Sequence, residues 1–424
     1  MDNTVTMKNH VLNQIPIEFA INPLSPAERG LGREVKFIPY LRRMQFSAVV
    51  GHEAIKKKLI SNASEGRVAH TRLFAGPEGC GALPLALAYM QYLACAAPTP
   101  TDSCGKCSAC IKMAKLVHPD LHLSFPMIKE NPKSKGASNE LITEFRNCLL
   151  GNPYMGVDNW LDYINAGNKQ PKIYVEEASE IIRQLSMVSV EDGYKFFIIW
   201  LPEFMNVETA NRLLKSLEEP SDKTLIILVS EKPQDLLSTI LSRAQLQKIE
   251  AYSIEECAEV IHSLVESTAE AARKVSEIAE GNVSLAKWLL ENQDESDEQL
   301  DLFRNWMLAC YQYNITELIA QSDSFHKKGR EWQKGFLTYG LFMIRQTVLK
   351  NHQPSLNRLT DQENGFLDKF ARFFHPGNYA EISTYVNDAI LHIERNGHGK
   401  IIFFDCCILI SDVFRKEKFA KSNA

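Results

Sequence analysis

The sequence predicts a doubly wound α/β domain followed by an all-helical C-terminal half. Three observations carry that prediction. Two continuous apolar runs, KFFIIWL (195–201) and TLIILVS (224–230), suit parallel strands buried on both faces. The helix-period segment NVETANRLLKSLEEP lies between them, and strands separated by helices build a parallel sheet. After about residue 250 no convincing strand signal remains.

Bulk properties set the class. A chain of 424 residues allows two to four domains. It is 45% hydrophobic and 23% charged, ordinary for a globular protein. A net charge of −5 and a pI near 6.2 argue against a dedicated, strongly basic DNA binder, though not against a local basic face. No apolar run reaches the roughly 18 residues a spanning helix needs. The nearest, IIFFDCCILISDVF (401–414), is interrupted by Asp405 and Asp412 and reads as a buried helix. No charged n-region precedes an apolar h-region, so secretion is not expected.

The elements follow in order. Residues 1–43, with NPLSPAERGLGREV, read as a loosely structured extension, and Met44 is an alternative start. Residues 52–65 read as a helix. RLFAG (72–76) reads as a buried strand and LPLALAYMQYLAC (83–95) as a helix, with Pro84 tolerated in its first turn. Residues 129–170 form a poorly patterned insert with a helix around 139–150. KIYVE (172–176) leads into a helix at 177–187. Asn206 is the N-cap of the next helix, whose apolar face is Val207, Ala210, Leu213, Leu214 and Leu217, and Pro220 stops it. Residues 253–293 read as a small helical unit and 294–424 as a larger one.

CAAPTPTDSCGKCSAC places Cys95, Cys104, Cys107 and Cys110 as C-x8-C-x2-C-x2-C. Four soft thiolates suit tetrahedral Zn²⁺, and Gly105 helps the turn between them. Such a site has no open position, so it would be structural. The competing reading is reduced cysteines in a loop, or adventitious disulfides. His118, just before Pro119-Asp120, reads as a packing or turn residue rather than a ligand.

FAGPEGCGALPLA (74–86) has the spacing of a phosphate-binding loop, G-x-x-x-x-G-K-[ST], with Gly76 and Gly81 in place. The Lys position is Ala82 and the hydroxyl position is Leu83.

VVGHEAIKKKLISNASEGRVAHTRLFAGPEGCG, the four-cysteine loop with HPD, and YKFFIIWLPEFMNVETANRLLKSLEEPSDKTLIILVSEKPQDLLSTILSRAQ together resemble one family. It is the delta-prime family of bacterial DNA polymerase III clamp-loader subunits, within the AAA+ class. The resemblance covers about 44–125 and 172–290, is weaker over 294–424, and does not reach 1–43 or 129–170.

The resemblance implies an AAA+ α/β module (44–250) with a zinc loop (95–110), a helical lid (251–293) and a helical collar (294–424). The collar would join motor ATPase subunits and delta in a hetero-pentamer that loads the sliding clamp onto primed DNA. It implies a cytoplasmic, nucleoid-associated protein with no membrane partner. ATP would bind between neighbours, with the delta-prime type a relatively rigid, non-hydrolysing member.

The residues agree with an inactive site. Ala82 and Leu83 supply neither the Lys for β/γ-phosphates nor the hydroxyl for Mg²⁺. Where active relatives place a strand-end Asp and Glu, this chain has Trp200 and Leu201, and Glu203 two residues on is no assured substitute. In the lid, Ser284 to Ala286 hold no Arg, and Lys287 is not assigned that role. Gly76, Gly79 and Gly81 then serve shape. Backbone N–H groups at the helix start still allow binding without hydrolysis. LSRAQ matches the family's Ser-Arg-Cys motif, with Ser242 and Arg243 retained and Ala244 replacing Cys. There the Arg reaches a neighbour's ATP site; the plainer reading is a local salt bridge. Glu218 and Glu219 read as helix-end charges or interface contacts, since adjacent helical residues diverge by about 100°.

Two rivals are a self-sufficient AAA+ ATPase, such as the motor subunit of the same complex, and a zinc-dependent DNA-binding protein. The missing P-loop residues weigh against the first and the acidic balance against the second.

Overall fold

The computed structural model describes residues 44–129, 136–166, 169–292, 296–352, 361–370, 374, 376–395 and 397–422. The expected extension at 1–43 and parts of the insert lie outside these residues.

Five described strands form one parallel sheet in the order β2-β3-β4-β1-β5. They are β1 (Thr71–Ala75), β2 (Leu121–Ser124), β3 (Lys195–Trp200), β4 (Thr224–Ser230) and β5 (Gln245–Lys248). The register runs Leu73 against Leu228 and Ile198 against Ile227. β3 and β4 are buried along their whole length, as their unbroken apolar runs require. β2 and β5 carry little apolar signal. LHLS is short, and QLQK is a largely exposed edge strand, so sequence pattern alone passed over both.

The first helices are α1 (Glu53–Ser64), α2 (Ala82–Ala94), α3 (Ser108–Ala114), α4 (Ile142–Gly151), α5 (Val157–Tyr163), α6 (Val175–Leu185), α7 (Val207–Glu218) and α8 (Ser238–Leu241). α6 starts two residues before the expected 177, and Lys172 and Ile173 make only isolated bridges. Asn206 caps α7, its Oδ1 accepting the Thr209 N–H at 2.7 Å. Ala210, Leu213 and Leu217 face the sheet, but Val207 is 60% exposed. Helical side chains lean toward the N-terminus, so a first-turn residue projects past the layer its helix covers.

The sheet separates two apolar clusters. One gathers α6, α7 and the Leu73, Phe197 and Ile226 face. The other gathers α2, the opposite strand face and the insert, through Phe145, Leu149, Met155 and Trp160. The insert is therefore part of the core. Burying a large apolar side chain contributes roughly 1.5–3 kcal/mol, which anchors this segment despite its polar flanks.

The remaining helices are α9 (Ile254–Leu264), α10 (Ala269–Ile278), α11 (Val283–Glu291), α12 (Ser296–Gln312), α13 (Ile315–Lys327), α14 (Arg330–His352), α15 (Asp361–Phe370), α16 (Pro376–Glu394) and α17 (Gly399–Ser422). α9 to α11 and α12 to α17 share a single apolar cluster. The 401–414 run lies inside α17, with Phe403, Cys406, Cys407, Ile410, Val413 and Phe414 buried. Among the described residues no helix is long and apolar enough to cross a membrane.

Candidate functional site

The glycine loop leaves β1, an interior strand, at the C-terminal edge of the sheet and opens α2, where α/β folds of this kind hold ligands. Its glycines are required by neighbouring protein. Gly79 and Gly81 have φ of 72° and 83°. A Cβ on Gly79 would stand 2.2 Å from Asn282 Oδ1 and 2.9 Å from the Ser284 nitrogen. One on Gly81 would stand 2.2 Å from Tyr252 Oη. The loop thus lets the start of α11 and the strand-to-α9 linker approach closely.

Little space remains directly beneath Gly79 and Gly81, whereas Pro77 and Glu78 also line a separate cavity of ≈ 510 Å³ with Asp158, Asn282 and Lys334. Ala82, Leu83, Pro153, Tyr154, Met155 and Trp200 line a cavity of ≈ 20 Å³. That holds about one water, against roughly 300–1,000 Å³ for a ligand pocket. The filling residues come from the turn between α4 and α5. Asn152 Oδ1 accepts the Tyr154 N–H at 3.2 Å, and Asn159 Oδ1 accepts the Gly156 N–H at 2.8 Å. The Tyr154 ring lies 6.1 Å from Tyr252, and Tyr252 lies 4.8 Å from His52. Burial pushes the Tyr154 phenol up to about 12 and lowers the His52 pKa. Neutral His52 donates from Nε2 to the Cys80 carbonyl at 2.8 Å.

The other nucleotide-site positions are likewise committed to protein contacts. Trp200 is buried 5.5 Å from Phe145. Glu203 Oε1 accepts the Glu231 and Lys232 N–H groups at 2.9 and 3.1 Å, and burial raises its pKa. Ser284 donates to Asn159 Oδ1 at 2.6 Å. Lys287 pairs with Glu291 on its own helix.

The insert also reaches α14. Lys334 Nζ lies 3.0 Å from Asp158 in the insert, 3.4 Å from Glu78 in the glycine loop and 3.4 Å from Glu331. Sequence reading missed Tyr154, Tyr252, His52, Asn159 and Lys334. The available signal was an aromatic residue in a turn-former stretch, NPYMG, shortly before Trp160.

Arg243 follows α8 on the surface. Its Nε donates to Glu218 Oε2 at 2.8 Å, and its guanidinium also donates to the Thr239 carbonyl at 3.0 Å. Ser242 Oγ donates to the same carbonyl at 3.1 Å. Glu218, read from sequence as a helix-end charge or interface contact, is the carboxylate that holds Arg243. Both side chains remain part-exposed, at 30% and 56%.

The sulfurs of Cys95, Cys104, Cys107 and Cys110 lie within 4.8 Å of one another, with Cys104 and Cys110 at 4.0 Å. Four thiolates about 2.3 Å from one ion would stand about 3.8 Å apart, so this donor set fits a tetrahedral metal. Backbone N–H groups of Cys104, Cys107 and Cys110 donate to the sulfurs of Cys95, Cys104 and Cys107 at 3.2, 3.4 and 3.4 Å. Such bonds from Lys106 and Cys107 lower the Cys104 thiol to about 6. The cluster could hold a metal ion. The loop is tied down by Asp102, which accepts the Phe46 and Ser47 N–H groups at 3.0 and 2.9 Å. His118 lies outside the cluster, accepting the Asp120 N–H on Nδ1 at 3.2 Å.

A parallel sheet ordered 2-3-4-1-5, with a glycine loop leading from interior strand β1 into a helix and a helical bundle beyond, defines an AAA+, P-loop-like fold. Over residues 51–253 the chain matches the family described as DNA polymerase III, delta subunit. It is 30% identical over 179 residues to DNA polymerase III subunit delta' of Pseudomonas aeruginosa, covering 42% of each chain. It is 25% identical over 202 residues to subunit gamma/tau of Mycobacterium bovis, covering 48% of this chain and 28% of that one. A solved DNA polymerase III gamma subunit-related protein of Thermotoga maritima aligns at a TM-score of 0.35 and 12% identity, over 86% of this chain and 100% of that one. The matches span less than half the length of either curated relative. The family match covers just under half of the chain.

Proposed function

We propose that this chain is a non-hydrolysing subunit of a DNA polymerase III clamp loader that lends Arg243 to a neighbouring ATPase. One observation carries the reading. The pocket under the glycine loop is lined by Ala82, Leu83 and Trp200 where phosphate and Mg²⁺ chemistry needs Lys, a hydroxyl and Asp, while Arg243 stands on the surface. A planar, always-charged guanidinium suits the spreading charge of a transferring γ-phosphoryl group, worth about 10³–10⁵ in rate where it acts in trans. Glu218 would hold Arg243 extended until a neighbour's nucleotide competes for it.

On this reading α9 to α11 form the lid and α12 to α17 the collar that docks motor subunits and delta. The assembly would load a sliding clamp onto primed DNA in the bacterial cytoplasm, at the nucleoid, contacting DNA collectively and through its backbone. Zn²⁺ is the proposed metal at the four cysteines, in a structural role, because its softness and tetrahedral preference match closed thiolate sites.

The test is DNA-stimulated ATPase of the reconstituted assembly, with Arg243→Ala compared to wild type at equal assembly. A loss of about 10³ or more is expected. An unchanged rate would remove the trans role and leave a scaffold.

A further inference from the structure

We propose that the glycine-loop pocket is a binding site for this chain's own insert, and that the Asn152–Gly156 turn fixes the α/β module, α9–α11 and the collar helices in one arrangement, as a nucleotide would elsewhere. The inference deepens the reading above and rests on its claim that this pocket holds no nucleotide.

Three contacts converge on this short segment. Pro153, Tyr154 and Met155 fill the space beneath the loop, leaving ≈ 20 Å³. Asn159, just beyond, accepts the Ser284 hydroxyl at 2.6 Å and so grips the first turn of α11. Asp158 meets Lys334 of α14 at 3.0 Å, and the same ammonium meets Glu78 of the glycine loop. The turn packs closely against the loop, since a Cβ on Gly156 would stand 2.5 Å from the Glu78 carboxyl. A ligand between a P-loop and its lid sets their angle by differential contact with both. Here the contacting residues belong to the chain itself, so the arrangement needs no nucleotide. Buried aromatic packing supplies the affinity, and Asn159 and Asp158 supply the direction.

Hydrogen–deuterium exchange on the full chain tests this. Tyr154→Ala should speed exchange of the 76–81 loop and of α11 by about tenfold, with β1, β3 and β4 unchanged. Should Tyr154→Ala lose protection throughout, Ser284→Ala decides, because it keeps the aromatic packing and the Asn159–Gly156 bond and removes only the grip of Asn159 on α11. Faster exchange confined to α11 supports the proposal, and unchanged α11 overturns it. A second arm uses mant-ADP. The variant Ala82→Lys/Leu83→Thr should bind weakly while Tyr154 is present, and adding Tyr154→Gly should tighten binding at least about tenfold. Equal binding with and without Tyr154 overturns the proposal. Both readouts use the isolated chain and are independent of Arg243, so failure here leaves the trans role standing, and the reverse.

Discussion

Arg243 and Glu218, 25 residues apart in sequence, form a surface ion pair with Nε and Oε2 at 2.8 Å. The pair joins the end of α7 to the second residue after α8. It holds the guanidinium part-exposed, just before edge strand β5, against a carboxylate.

Being part-exposed, this pair should contribute only about 0–1 kcal/mol to stability. Glu218→Gln should leave the urea midpoint of the isolated chain nearly unchanged. In the assembly it should alter ATPase, because a freed Arg243 samples more conformations. A large stability loss with unaltered assembly ATPase would mean that the pair serves the fold alone.

The insert should be a stability determinant. Trp160 is fully buried, donates from Nε1 to the Pro126 carbonyl at 2.8 Å, and meets Phe125 and Phe145 edge-on at 5.3 and 5.2 Å. Trp160→Ala should cost about 3–5 kcal/mol in denaturant unfolding. A cost below about 1 kcal/mol would mean that the insert packs on a core complete without it.

Metal analysis of the purified chain should find about one zinc per chain, lost in Cys107→Ser. Chelation should lower the melting temperature. Acidification should release the ion, because thiolates must be deprotonated to bind it. A metal-free chain with the same melting temperature would leave the cysteines as a reduced loop.

Glu331 gives a pH signature. Burial pushes its carboxyl up to about 8, with Lys334 opposing. A folded pKa above the unfolded value means that the native state holds the proton more tightly. Its contribution is full below about pH 4.5 and is lost as pH rises through about 8. Glu331→Gln should therefore flatten the fall in stability between those limits, as read by urea midpoints across pH. An unchanged slope would assign the dependence to other groups.

Much of this was legible in the chain because it depends on local chemistry. The β3 and β4 runs, the Asn206 cap, the four-cysteine spacing and the loss of Lys at Ala82 are read from neighbours in sequence. β2 and β5 were not legible, because their pairing partners rather than their own patterns make them strands. Nor was the place of the insert, since NPYMG has no period that marks it as core.

The sequence by itself determined that this loop lacks the Lys and the hydroxyl of the P-loop pattern, because Ala82 and Leu83 stand at those positions. Only the tertiary structure decided what fills the space instead. Tyr154, Tyr252 and Asn282 come from three distant segments, and their convergence on Gly79 and Gly81 depends on long-range packing. Local patterns encode the chemistry of a residue. Which residue shares its cavity depends on how the layers close.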